Sequence, residues 1–236
     1  MRENAFVAYL LARKYRLALG SLLLAASLIA IVLERLHAWL NGSRAYAGLI
    51  FNLGLAWVPF VAAALAYLTR KNRVTFFLIM PVCTLVWLVF FPNAAYLLTD
   101  FNQLALSGGG APLWFDVILL IWVAWTGLFL GIASLYLIQE IVTRVAGPLL
   151  GWVFALVATA LSSVGVYLGR FLRWNSWDLL YNPLPIARDM YGIIRDPIDN
   201  LPTYVFTILF TLLVLFIYVA VHLMAAALQE SRARNR

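Results

Sequence analysis

PLLGWVFALVATALSSVGVYL, Pro148–Leu168, runs straight into GRFLRWNSWD, Gly169–Asp178, and this junction decides how the chain folds. About twenty residues without a charge are what an α-helix needs to cross the apolar core of a bilayer. Directly after them come Arg170, Arg173, Trp174, Asn175, Trp177 and Asp178, where such a span meets water. Working outward, similar apolar runs recur at about residues 17–33, 45–68, 74–91, 113–138 and 201–228. With 148–168 they predict an all-α, polytopic integral membrane protein with six transmembrane helices, built as one membrane domain over residues 1–236.

Composition points the same way. A soluble domain carries about a quarter of its residues charged. Here 11 % are charged and 64 % hydrophobic, with a mean hydropathy of +0.91. Such a chain cannot solvate a globular surface, so lipid is its solvent. The net charge of +7 comes from bases that flank apolar runs, the pattern of membrane orientation, so membrane lipids are the expected partner and nucleic acid is not. Cys83 is the single cysteine, which excludes an intrachain disulfide; the two histidines, His37 and His222, lie far apart in sequence, so no metal and no cofactor is expected.

The first apolar run follows Arg2, Arg13, Lys14 and Arg16, as a signal peptide would. It is longer than such a core, and no small-x-small cleavage site precedes Glu34, so it reads as a retained span. Pro81 is expected to kink the third span. A loop of about twenty residues is predicted from Pro92 to Pro112, ending in Ser107-Gly108-Gly109-Gly110. The longest connection, Gly169 to Asn200, holds the turn signals Asn182-Pro183-Leu184-Pro185 and Asp196-Pro197. The last run exceeds what a bilayer requires and is expected to tilt or project. No internal repeat is evident.

Lys and Arg number eleven in the N-terminal segment, the second and fourth connections and the C-terminal tail, against six in the alternate connections. The positive-inside rule then puts both termini in the cytoplasm and the third and fifth connections together on the opposite face. That step joins Gly169–Asp178 to a second dense stretch, Phe91-Pro92-Asn93-Ala94-Ala95-Tyr96-Leu97-Leu98-Thr99-Asp100. If the fifth helix continues, Arg170 and Arg173 share a face, extended by Trp174 and Trp177. Arginine forks onto carboxylate or phosphate and stacks on indole. Asp100, Asp116 and Asp178 are the candidate carboxylate partners. The expected ligand-binding set is Arg170, Arg173, Trp174, Asn175, Trp177, Asp178, Asn93, Asp100 and Asp116, with catalytic residues unassigned.

Each of these residues also has a plain role. The arginines can snorkel to lipid phosphates. The tryptophans fit an interfacial belt with Trp39 and Trp114. Asn175 and Asp178 have capping-box spacing. Asp116 suits the start of the fourth helix, and Asn93, after a proline, suits a turn. Their convergence on one face of a charge-poor protein raises the case for a site.

The two dense stretches, with Asn182-Pro183 after them, resemble the bacterial membrane family called domain of unknown function 1361. Asn52-Leu53-Gly54-Leu55-Ala56-Trp57-Val58-Pro59-Phe60, Trp114-Phe115-Asp116 and Ala124-Trp125-Thr126-Gly127 are similar too, and the likeness covers about residues 48–220. The resemblance implies a multi-pass bacterial inner-membrane protein and no established activity. Three functions remain open from sequence. One is binding or transport of an anionic small molecule or lipid headgroup. Another is an enzyme acting on a lipid or lipid-linked headgroup, with Asp100 or Asp116 as base. The third is a structural or accessory subunit. The absence of mid-span charge and of an inverted repeat argues against a standard secondary transporter.

Overall fold

The computed structural model describes residues 13–42, 44–69, 73–106 and 110–234, with side chains for 17–42, 44–69, 78–104 and 110–227. The basic residues Arg70 and Lys71 and the glycine run from Ser107 to Gly109 lie outside the described residues, as do 1–12 and 235–236. The described backbone is helical, with no strand. The long helices are α1 (Arg13–Asn41), α2 (Ala47–Thr69), α3 (Arg73–Tyr96), α4 (Leu113–Ala146), α5 (Pro148–Phe171) and α8 (Leu201–Arg234). Two short helices, α6 (Asp178–Tyr181) and α7 (Pro183–Arg195), lie between α5 and α8. Six helices are long and apolar enough to cross a membrane. Their lipid-facing sides carry exposed Leu, Val and Phe in quantity, as a bundle solvated by acyl chains must.

α4 is the central post. Its span is the most deeply buried of the six, and α1, α2, α3 and α5 all pack on it. Small residues permit the close approach. A Cβ on Gly127 would stand 2.3 Å from Leu97 Cδ1, and one on Gly131 would stand 2.9 Å from Ala94 Cβ. On α5, a Cβ on Gly165 would stand 2.6 Å from Pro92 Cγ, and one on Gly169 3.3 Å from the Tyr96 ring. Two Gly-x-x-x-Gly ridges therefore clasp the end of α3 from both sides, the arrangement that lets membrane helices pack backbone to backbone. Trp87, wholly buried, adds a polar tie by donating from Nε1 to Ser134 Oγ at 3.1 Å.

Several expected boundaries move. Pro92 does not open a loop: α3 continues through Pro81 and Pro92 to Tyr96, and a 3-10 helix, Leu97–Leu106, follows directly. The Pro92 ring costs a helical hydrogen bond but fits against Gly165. α1 extends past Leu33 to Asn41, because Glu34 and His37 are buried rather than turned to water. α5 does not carry Arg170 and Arg173 on one face. It ends at Phe171, Leu172 caps it, and Arg173 adopts a left-handed φ of 62°. The Trp174 N–H then folds back on the Leu168 carbonyl at 3.1 Å, which turns the chain across the end of the bundle.

Candidate functional site

The two dense stretches meet. Tyr96, Thr99 and Asp100 fall three and four residues apart at the end of α3 and into the 3-10 helix, so they present together. Arg170 lies across them. Its Nη2 pairs with Asp100 Oδ1, its Nε donates to Thr99 Oγ1 at 2.8 Å, and its guanidinium carbon stands 4.3 Å from the Tyr96 ring centroid. Gln103 Nε2 donates to the same Asp100 oxygen at 3.1 Å, and the Asn52 amide of α2 faces the carboxylate. Asp100 Oδ2 still lacks a hydrogen bond of full geometry. Asp100 is 1 % exposed, so this pair is a buried clasp between α3 and α5. Asn93 adds a second tie: its Nδ2 donates to Ser176 Oγ at 2.7 Å and to the Phe90 carbonyl at 3.1 Å. Asn93 is thus a helix residue that reaches the crossing segment, and it holds no turn.

Trp174–Trp177 of that segment roof a half-open cavity of about 290 Å³ between α2, α3 and α5. Its upper wall is polar: Asn52, Asn93, Asn175 and Ser176, with Tyr96 beside them. Trp174 and Trp177 form part of the roof. Trp174 is fixed by donating from Nε1 to Asp189 Oδ2 of α7 at 2.7 Å, and Trp177 packs edge-on to Phe51 of α2 with centroids 6.1 Å apart. The lower wall is apolar. Leu88 and Leu161 line it and are also exposed on the outer surface of the bundle, so the cavity opens sideways where lipid would lie.

The expected site residues therefore divide. Asn93, Trp174, Asn175 and Trp177 line the cavity, while Arg170 and Asp100 stand just behind it, linked through Asn52. Arg173 is exposed and pairs with no carboxylate among the described residues. Asp178 accepts from the Asn175 backbone N–H at 2.7 Å and from Asn175 Nδ2 at 3.1 Å, so it closes the turn that leads into the short α6. Asp116 belongs elsewhere: it pairs with His37 of α1, with Nε2 to Oδ1 at 2.8 Å, and meets no arginine among the described residues. Asn52, Tyr96, Thr99 and Ser176 were not singled out as functional from sequence. The three- and four-residue spacing of Tyr96, Thr99 and Asp100 was the signal available for two of them. Among the described residues no group of three His, Cys, Asp or Glu side chains is placed to hold a metal.

No curated protein and no solved structure matches the chain. One family model does, over residues 51–217, and its match takes in both dense stretches, the cavity and the clasp. The chain belongs to the family described as protein of unknown function DUF1361.

Proposed function

We propose that this multi-pass membrane protein binds an amphipathic membrane lipid side-on, in the groove under Trp174–Trp177. The observation that carries the reading is the division of one lateral cavity into an amide and hydroxyl rim above and a leucine wall below. A lipid would lay its chain along Leu88 and Leu161 and hydrogen-bond its headgroup to Asn52, Asn93 and Ser176. Arg170 is already committed to Asp100, so it positions the rim and leaves Arg173 to meet a headgroup phosphate. In this reading the protein sits in a bacterial inner membrane with both termini cytoplasmic and the groove in the outer leaflet. The asymmetry of lysine and arginine between alternate connections supports that orientation.

Leu161→Trp tests it. Leu161 is exposed on α5 and lines the groove but touches neither the clasp nor the roof, so an indole there obstructs the cavity without disturbing the fold. Purified in mild detergent, the wild type should retain a defined lipid by mass spectrometry. Leu161→Trp should lose it while unfolding cooperatively near the wild-type temperature, and Asn93→Ala, which also gives up the tie to Ser176, should lose it with a modest drop in that temperature. Equal lipid content in all three would refute the reading. The lateral mouth equally suits an enzyme acting on that lipid, and chemical conversion of the retained lipid by the wild type alone would select that version.

A further inference from the structure

A second polar centre lies at the same end of the bundle, apart from the groove. Glu34 and His37 sit one turn apart on α1, Tyr46 just before α2, and Asp116 in the first turn of α4. All four are at most 3 % exposed. His37 is held between the Tyr46 ring, centroids 4.5 Å apart, and that of Phe115 at 6.3 Å. Three polar atoms of this cluster, Glu34 Oε1, His37 Nδ1 and Tyr46 OH, lack a hydrogen-bond partner, and Asp116 Oδ1 has His37 Nε2 at 2.8 Å without full hydrogen-bond geometry. Buried polar groups left in that condition are costly, and ionisable ones inside a membrane span mark function more often than packing.

The placement of partners around one nitrogen shows what the cluster can do. Asn41 Oδ1 accepts the Ala111 N–H at 2.6 Å, which turns the Asn41 NH2 toward His37 Nε2, also at 2.6 Å. An amide NH2 requires a lone pair on that nitrogen. Asp116 Oδ1, 2.8 Å from the same Nε2, requires a proton there if it is a carboxylate. One nitrogen cannot satisfy both. With a proton on Nε2 alone, the ring is neutral, Asp116 accepts and the Asn41 contact is lost. Adding one proton gives two arrangements. Either the imidazolium donates from Nε2 to Asp116 and from Nδ1 outward, or one proton resides on Asp116 while the ring carries its single hydrogen on Nδ1 in place of Nε2, and Nε2 accepts from Asn41. In both loaded forms Nδ1–H needs an acceptor, and Glu34, one turn earlier on the same helix, has an unpartnered oxygen to offer through one water.

We propose that His37, Asp116 and Glu34 form a proton-exchanging centre that takes up and releases one proton inside the membrane. The groups facing it are Asp116 from α4, Tyr46 at the head of α2, and Glu34 and its neighbour Arg35 on α1, whose Nε is 3.5 Å from the Glu34 carboxylate. Burial, and after it the Asp116 charge, push the Tyr46 phenol above its ordinary range, so Tyr46 remains a donor and does not supply the exchanging proton.

The chain has two histidines, which makes the test direct. The full-length protein, labelled with 15N-histidine in lipid nanodiscs, gives two sets of imidazole signals, and His222→Gln assigns them. Both His37 ring nitrogens should shift with pH in a single one-proton step. Asp116→Asn and, separately, Glu34→Gln should each displace that step, and Asn41→Ala should leave the basic-side tautomer in place while removing the loaded form in which Nε2 accepts, so that the imidazolium alone appears on the acid side. Glu34→Gln retains the shape of the side chain and keeps the test usable if Asp116→Asn fails to fold. A His37 ring that keeps one tautomer from pH 4 to 9, or a titration that neither carboxylate variant moves, overturns the proposal.

Discussion

Arg170→Ala should destabilise the protein more than Asp100→Ala, and the asymmetry follows from where each partner sits. The Asp100 side chain is 2 % exposed and that of Arg170 14 %. Removing Arg170 leaves a carboxylate that water cannot reach. Breaking a buried pair from one side costs about 3–5 kcal/mol. The Thr99 hydrogen bond and the Tyr96 face are lost with it, at about 1 kcal/mol each. Removing Asp100 leaves an arginine that still holds Thr99 and Tyr96 and can extend toward the bundle end, so its cost falls below that range. Together these come to about 5–7 kcal/mol, and at roughly 2–4 °C per kcal/mol for a chain of this size Arg170→Ala should lower the unfolding temperature by about 10–28 °C. The nine tryptophans give an intrinsic fluorescence readout in detergent. A double-mutant cycle with Asp100→Asn and Arg170→Met should return a coupling of at least about 1 kcal/mol. Near-additive variants, or an Asp100→Ala that costs more than Arg170→Ala, would refute the clasp.

Gly127→Ala should cost about 1–3 kcal/mol, since its Cβ would collide with Leu97 and crowd the Ala94 carbonyl, whereas Gly54→Ala, with nothing within 4 Å, should be neutral or slightly stabilising; thermal unfolding compares them. Trp174→Phe removes the hydrogen bond to Asp189, worth about 1.5–3 kcal/mol locally, and should raise hydrogen exchange and protease cleavage between residues 171 and 200 while the long helices stay protected. Tyr46 has its folded pKa raised, so its contribution is fully present below the ordinary phenol value of 10.0 and is lost as pH rises through the higher folded value. Tyr46→Phe should flatten the fall in stability above about pH 10 measured by denaturant unfolding.

The six crossings were legible because lipid imposes a rule that composition obeys: about twenty residues without charge. The joining of the two dense stretches was legible too, because helices that alternate across a bilayer fix which connections share an end. What was not legible depends on burial. Pro92 reads as a breaker in water, yet here α3 runs through it because Gly165 makes room for the ring. Glu34 and His37 read as the polar end of the first span, and only Asp116, some eighty residues later, turns them inward. Sequence puts Arg173 on a helical face, but it is itself the left-handed residue just past the end of α5, and arginine carries no sequence mark for that conformation. Gly127-x-x-x-Gly131 and Gly165-x-x-x-Gly169 mark faces of α4 and α5 suited to close packing, but that the end of α3 fills both is visible only in the structure.

The central claim is that the end of α3 and the segment after α5 touch at one end of the bundle. Asn93 Nδ2 and Ser176 Oγ, 2.7 Å apart, provide the ruler. With Cys83, the single cysteine, replaced by Ala, Asn93→Cys and Ser176→Cys should join efficiently in intact membranes with an oxidant or a short thiol cross-linker, and a pairing of Asn93→Cys with Ala146→Cys should not. A failure to join, with the two thiols labelled from opposite sides of the membrane, would contradict the account.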